Sequence, residues 1–84
     1  MSMLGIGGSL TDAMRAAILE AIPEAEVEVS GSGGHFSIRV VSSVFGGKSM
    51  LQKQRLVMKA VAPFMTGDDA PVHAIDNLQT QLPE

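Results

Sequence analysis

The sequence predicts an α+β domain with the order helix–strand–strand–helix–strand, its helices packed on one face of a three-stranded mixed sheet. Three observations predict it. Apolar residues recur at helical spacing from Leu10 to Ile22 and again from Met50 to Met65. Two strictly alternating segments, 25–29 and 36–40, flank a Gly/Ser turn and read as a hairpin. A third extended segment, Val72 to Thr80, follows the second helix. A strand–helix–strand crossover makes the strands at its two ends parallel when they share a sheet, and the crossover is right-handed by strong preference.

Residues 1–8 are a Gly-rich lead, expected to be mobile. Ser9 reads as the N-cap of the first helix, with Asp12 in a capping-box-like position. Leu10, Met14, Ala17, Ile18, Ala21 and Ile22 form its inner face, and Pro23 stops it. The first strand is Ala25 to Val29. Ser30 to Gly34 forms a turn of residues that accept positive φ. In the second strand Phe36, Ile38 and Val40 share the buried face, which leaves His35 on the other face at the edge of the hairpin. Phe45 to Ser49 turns into the second helix, with Ser49 as N-cap and Pro63 ending it near Ala62. Met50, Gln54, Val57, Met58, Val61 and Met65 fall on its inner side. At about 100° per residue, Lys48, Gln52, Arg55 and Lys59 project to the opposite side. Thr66 to Pro71 is a loop before the third strand. Residues 9–80 thus make one domain, and 81–84 a polar end.

At 84 residues there is room for one small core. Apolar residues are 45% of the chain and charged residues 18%, a globular composition. With three Phe, no Tyr and no Trp, the six Met and the aliphatic residues must fill that core. The absence of cysteine excludes disulfides, zinc ribbons and thiol catalysis, and fits a reducing compartment. No apolar run is long enough to span a membrane and no secretory signal is visible, so a cytoplasmic location is expected.

The net charge is −3, but its distribution matters more. Acidic residues crowd residues 1–28 and the C-terminal segment. Between Val29 and Gly67 there is no acid, while Arg39, Lys48, Lys53, Arg55 and Lys59 all fall there. That segment is suited either to ordinary solvation or to meeting an anion.

The histidines are the other candidate for chemistry. His35 opens the second strand and His73 the third. Parallel strands begin at one end of a sheet, so the topology brings both residues to one edge if the strands are neighbours. Neutral imidazole binds iron, zinc or copper well. Two imidazoles do not close a metal site, so a partner, a small thiol or solvent must complete one. The bland alternative is two ordinary histidines, one in a turn and one pairing at a strand start. Asp76 would face away from His73 on a regular strand, which leaves that histidine without an acid–base partner and argues against an enzyme. Gly46-Gly47-Lys48-Ser49 looks like the end of a phosphate-binding loop, but Ser42 stands where that motif needs glycine.

Gly34-His35-Phe36, Val40-Val41-Ser42, Phe45-x-Gly47-x-Ser49, Gln54-Arg55-Leu56-Val57 and Val72-His73-Ala74-Ile75 occur in the order and spacing seen in BolA-like proteins, and the chain resembles that family over residues 9–80. The resemblance implies a KH-type-II-like fold. It implies a non-enzymatic adaptor in iron–sulfur cluster assembly or trafficking that forms a heterodimer with a monothiol glutaredoxin. The two proteins would share a two-iron, two-sulfur (2Fe-2S) cluster. His73 would be one ligand and His35 a second, with the glutaredoxin cysteine and glutathione supplying thiolates. The isolated chain would bind none. Relatives described as DNA-binding transcription regulators imply an alternative, a DNA-binding surface on the Gly-rich turn and second helix formed by Lys48, Gln52, Lys53, Arg55 and Lys59. Three departures stand out. Lys53 is found where Arg is common, Asn77 replaces a frequent apolar residue, and a Trp-bearing tail found in many relatives is missing. The missing tail weighs more against the DNA role and some partner contacts than against the histidine pair. A plain interaction domain without metal is a third reading.

Overall fold

The computed structural model describes residues 9–84, and the expected mobile lead, residues 1–8, lies outside the described residues. Helix α1 spans Leu10–Ala21, strand β1 Glu26–Ser32, strand β2 His35–Val41, helix α2 Met50–Val61 and strand β3 Ala74–Gln81. Short 3-10 turns, Ser43–Phe45 and Ala62–Phe64, precede and follow α2. The sheet order is β1-β2-β3, with β1 antiparallel and β3 parallel to the central β2. This is the α+β architecture, with its mixed sheet, that the sequence predicts.

Each helix begins where its cap residue dictates. The Ser9 hydroxyl accepts the Asp12 backbone N–H at 3.1 Å. At α2 the capping box is complete. Ser49 Oγ accepts from the Gln52 N–H at 3.2 Å, and Gln52 Oε1 accepts from the Ser49 N–H at 2.9 Å. Pro63 lacks the N–H that a further α-turn needs, so α2 stops at Val61 and the chain tightens into a 3-10 turn.

The core lies between the two helices and one face of the sheet. Met14, Ile18 and Ile22 from α1 and Val57 and Val61 from α2 meet Val27, Phe36, Ile38 and Val40 of the sheet, with Phe45 and Val72 closing the ends. Arg15 ties α1 to β1 by donating from Nε to the Val27 carbonyl at 3.1 Å. The opposite sheet face carries Glu26, Glu28, Ser30 and His35, all exposed. Met50 departs from the expected inner face and is 61% exposed. Its angular position is inward, but it stands at the first position of α2, ahead of the buried Val57 and Val61. Ala21, the last residue of α1, is also exposed.

The hairpin is longer than the sequence suggests. Ser32 pairs with His35, so the turn is only Gly33-Gly34, both at positive φ (64° and 85°), as a type I′ connection requires. The Gly/Ser composition that reads as a five-residue turn is in part strand. β3 is displaced in the other direction. It starts at Ala74 and runs to Gln81, so Val72 and His73 precede it and the polar end begins one residue later than expected.

Candidate functional site

The parallel pairing of β2 and β3 places His35 opposite Ala74, the residue after His73. Gly34 locks this edge. Its carbonyl oxygen accepts the His73 N–H at 2.7 Å and the Ala74 N–H at 3.0 Å. His73 is therefore fixed by its backbone just before the strand and not within it. Its imidazole lies against the bare Cα of Gly34. A Cβ on Gly34 would come within 2.8 Å of both Cγ and Nδ1 of His73. The two histidines that the sequence proposes as a pair thus lie at the same end of the sheet, and both are exposed.

His35 is held differently. Its Nδ1 lies 3.2 Å from Asp76 Oδ1. Asp76 sits in a β-bulge. Phe36 pairs with Ile75 and Ser37 with Asn77, so Asp76 has no residue across from it. The expectation that Asp76 faces away from His73 assumed a regular strand, and it overlooked His35. The signal was in the sequence. Ile75 and Leu78 both pack against the core, yet they are an odd number of residues apart, and alternation cannot put both inward without one extra residue. The bulge also accounts for Asn77. It lies on the outer face opposite Ser37, while Leu78 takes the inner place opposite Ile38.

This donor set suits part of a metal site. Among the described residues no group of three or more His, Cys, Asp or Glu could hold a metal. Two exposed imidazoles can contribute to a tetrahedral iron or zinc centre whose remaining ligands come from elsewhere.

The basic residues divide. Lys48, Gln52, Arg55 and Lys59 line one shallow groove together with Leu56. Lys53 does not belong to it and is half-buried on another side of α2. Gln52 turns its side-chain carbonyl back to cap its own helix. The groove opens from the Gly46–Lys48 turn, where Gly46 approaches Leu82 beyond the C-terminal end of β3. The histidines lie at the other end of that strand.

A second polar cluster has no signal in the sequence pattern. Glu24, in the α1–β1 link, accepts from the buried Ser42 hydroxyl at 2.9 and 2.6 Å, and from the Ser43 N–H at 3.3 Å and hydroxyl at 3.2 Å. Ser42 Oγ in turn accepts the Val44 N–H at 3.0 Å. The Ser42 hydroxyl, with lesser help from Ser43, holds the Glu24 carboxyl below its ordinary value of 4.5, against a smaller upward push from burial. This cluster braces the fold and lies on the β2 C-terminal side, away from the histidines.

A small α+β domain with an open sheet face, a tight glycine turn and two imidazoles at one edge is a definite structural class. The family described as BolA-like protein matches residues 10–84. Mouse BolA-like protein 1 is 36% identical over 78 residues, covering 81% of this chain and 55% of the mouse protein. Acid stress protein IbaG of Escherichia coli is 31% identical over 62 residues, covering 74% of this chain and 71% of its own length. Among solved structures, a bolA protein homologue from Coxiella burnetii superposes with a TM-score of 0.70 at 30% identity, covering 89% of this chain and 91% of its own. The chain belongs to the BolA-like family.

Proposed function

We propose that this protein is a non-enzymatic adaptor that shares a 2Fe-2S cluster with a monothiol glutaredoxin. The observation that carries the reading is the Gly34 carbonyl bridging the His73 and Ala74 N–H groups, which fixes His73 beside the strand that His35 opens. His73 and His35 would supply the imidazoles. The glutaredoxin cysteine and glutathione would supply the thiolates this chain lacks. Such a cluster brings redox-active iron, and imidazole in place of thiolate raises its reduction potential.

The chain's own part is to present nitrogen donors without reorganising. His73 is placed by two backbone hydrogen bonds to Gly34 and by the glycine surface beneath its ring. The Nδ1 of His35 lies 3.2 Å from the Asp76 carboxylate. Both stay exposed, so a partner can reach them. The DNA-binding alternative gains less support. Its groove gathers three cations, but Lys53 is apart and Gln52 is engaged in capping.

The test is co-expression with a monothiol glutaredoxin, followed by absorption and electron paramagnetic resonance spectroscopy. A coloured heterodimer is expected, with a spectrum distinct from the glutaredoxin homodimer and lost in His73→Ala. An unchanged spectrum in His73→Ala would remove that residue from the ligand set and leave the mechanism without its main support.

A further inference from the structure

We infer that Asp76 is a positioning residue for His35: from the bulge in β3 its carboxylate fixes the Nδ1–H tautomer and so presents Nε2 as the donor nitrogen. This rests on the reading of His35 as a ligand and deepens it.

The chemistry follows from one contact. An ionised carboxylate has only acceptor atoms, so the ring nitrogen facing it at 3.2 Å carries the hydrogen. In a neutral imidazole the lone pair is then on Nε2. A free neutral histidine side chain favours the opposite tautomer, with the hydrogen on Nε2, which closes that nitrogen to a metal. A carboxylate on the far nitrogen is a common way of orienting a histidine ligand and raising its basicity.

The bulge explains why Asp76 can do this. On a regular strand the residue after Ile75 would stand opposite Ser37. Here Asn77 takes that place, and Asp76 is left unpaired between the residues facing Phe36 and Ser37. Its side chain reaches the open sheet face beside His35. The acidic residues of β1 are not in competition. Glu28 pairs with Arg39 at 3.6 Å, and Glu26 lies opposite Val41 at the far end of the hairpin. The two histidines are thus held by different means. His73 depends on the Gly34 backbone, while His35, at the mouth of a glycine turn, depends on a side chain.

Two measurements test the inference. Two-bond proton–nitrogen correlation spectra of the labelled protein, in mildly alkaline solution where imidazole is neutral, report the His35 tautomer directly. Wild type should show Nδ1–H. Asp76→Asn keeps an acceptor oxygen and should keep that tautomer, while Asp76→Ala should move to Nε2–H. In the loaded glutaredoxin heterodimer, Asp76→Ala should release iron to a chelator about tenfold faster, the low end of such second-layer effects because the pair is exposed, with Asp76→Asn in between. A wild-type His35 with its hydrogen on Nε2, or a tautomer indifferent to Asp76→Ala, overturns the inference. If the heterodimer forms and depends on His73, but Asp76→Ala releases iron at the wild-type rate, the positioning role fails and the shared cluster stands. If no coloured heterodimer forms with any variant, the shared cluster fails, and the tautomer spectra alone decide what Asp76 does to His35.

Discussion

The His73 imidazole occupies the space where a side chain on Gly34 would begin, with Cγ and Nδ1 each 2.8 Å from the position of a Cβ. Gly34 also has φ +85°, which L side chains rarely adopt. The same residue therefore makes the turn, accepts both N–H groups of the β3 entry and forms the floor under the ring. Gly34→Ala should destabilise the protein by about 1–3 kcal/mol through strained backbone alone. It should also displace the His73 ring, seen as shifted imidazole resonances, and abolish the heterodimer spectrum at denaturant concentrations where the variant is still folded. Gly33→Ala is the control, because a Cβ there meets nothing within 4 Å. It should show backbone strain and leave the His73 resonances in place.

The Glu24 cluster gives the fold a defined acid sensitivity. The folded-state carboxyl is held below 4.5, so its ionised form is favoured by folding. A group of this kind contributes stability that is fully present above its unfolded value and fades as pH falls through the lower folded value. Glu24→Gln should therefore be less stable than wild type near neutrality, and the gap should close as pH drops below 4.5. Urea melts across that range measure it. A gap independent of pH would mean that the carboxylate's charge contributes nothing.

On α2 the buried and charged faces should separate cleanly in stability. Val61 is fully buried in the core, and Lys59 is exposed on the groove side. Val61→Ala should cost on the order of 1–3 kcal/mol as a core truncation, and Lys59→Ala should stay within about 0.5 kcal/mol. Equal midpoints and slopes in urea melts would contradict the face assignment.

Sequence periodicity revealed the element order and the faces of α1, β2 and α2 because those segments are regular. Phe36, Ile38 and Val40 alternate without interruption, and all three are buried. Met14 and Ile18 recur one helical turn apart and are both fully buried. The histidine edge was legible for the same reason, since it follows from topology. What remained hidden depends on irregularity or on distant contact. The hairpin runs through Gly31, where the backbone passes so close to His35 and Phe36 that no side chain fits, and composition alone marks such a residue as turn. Glu24, in the α1–β1 link, meets Ser42, just past the end of β2, a contact that no local pattern encodes. Asp76 needed the odd spacing of Ile75 and Leu78 to be taken as a bulge and not as weak alternation.

That bulge leads to a prediction about chain length. Deleting Asp76 leaves Ile75, Asn77 and Leu78 consecutive, and these alternate inward, outward, inward. The pairs already seen, Phe36 with Ile75, Ser37 with Asn77 and Ile38 with Leu78, would then form a regular parallel ladder. The deletion should be tolerated, with far-ultraviolet circular dichroism and a cooperative urea transition close to wild type. Deleting Ser37 from the central strand is the contrast. It would bring Phe36 and Ile38 next to each other and turn Ile38 and Val40, or else Phe36, out of the core, because a one-residue slip reverses every side chain beyond it. That variant should fail to fold. If the Asp76 deletion loses its cooperative transition as completely as the Ser37 deletion, the extra residue is a structural requirement of β3. If it folds and keeps the His73 resonances unchanged while the His35 hydrogen moves to Nε2, the bulge serves to carry Asp76 to His35.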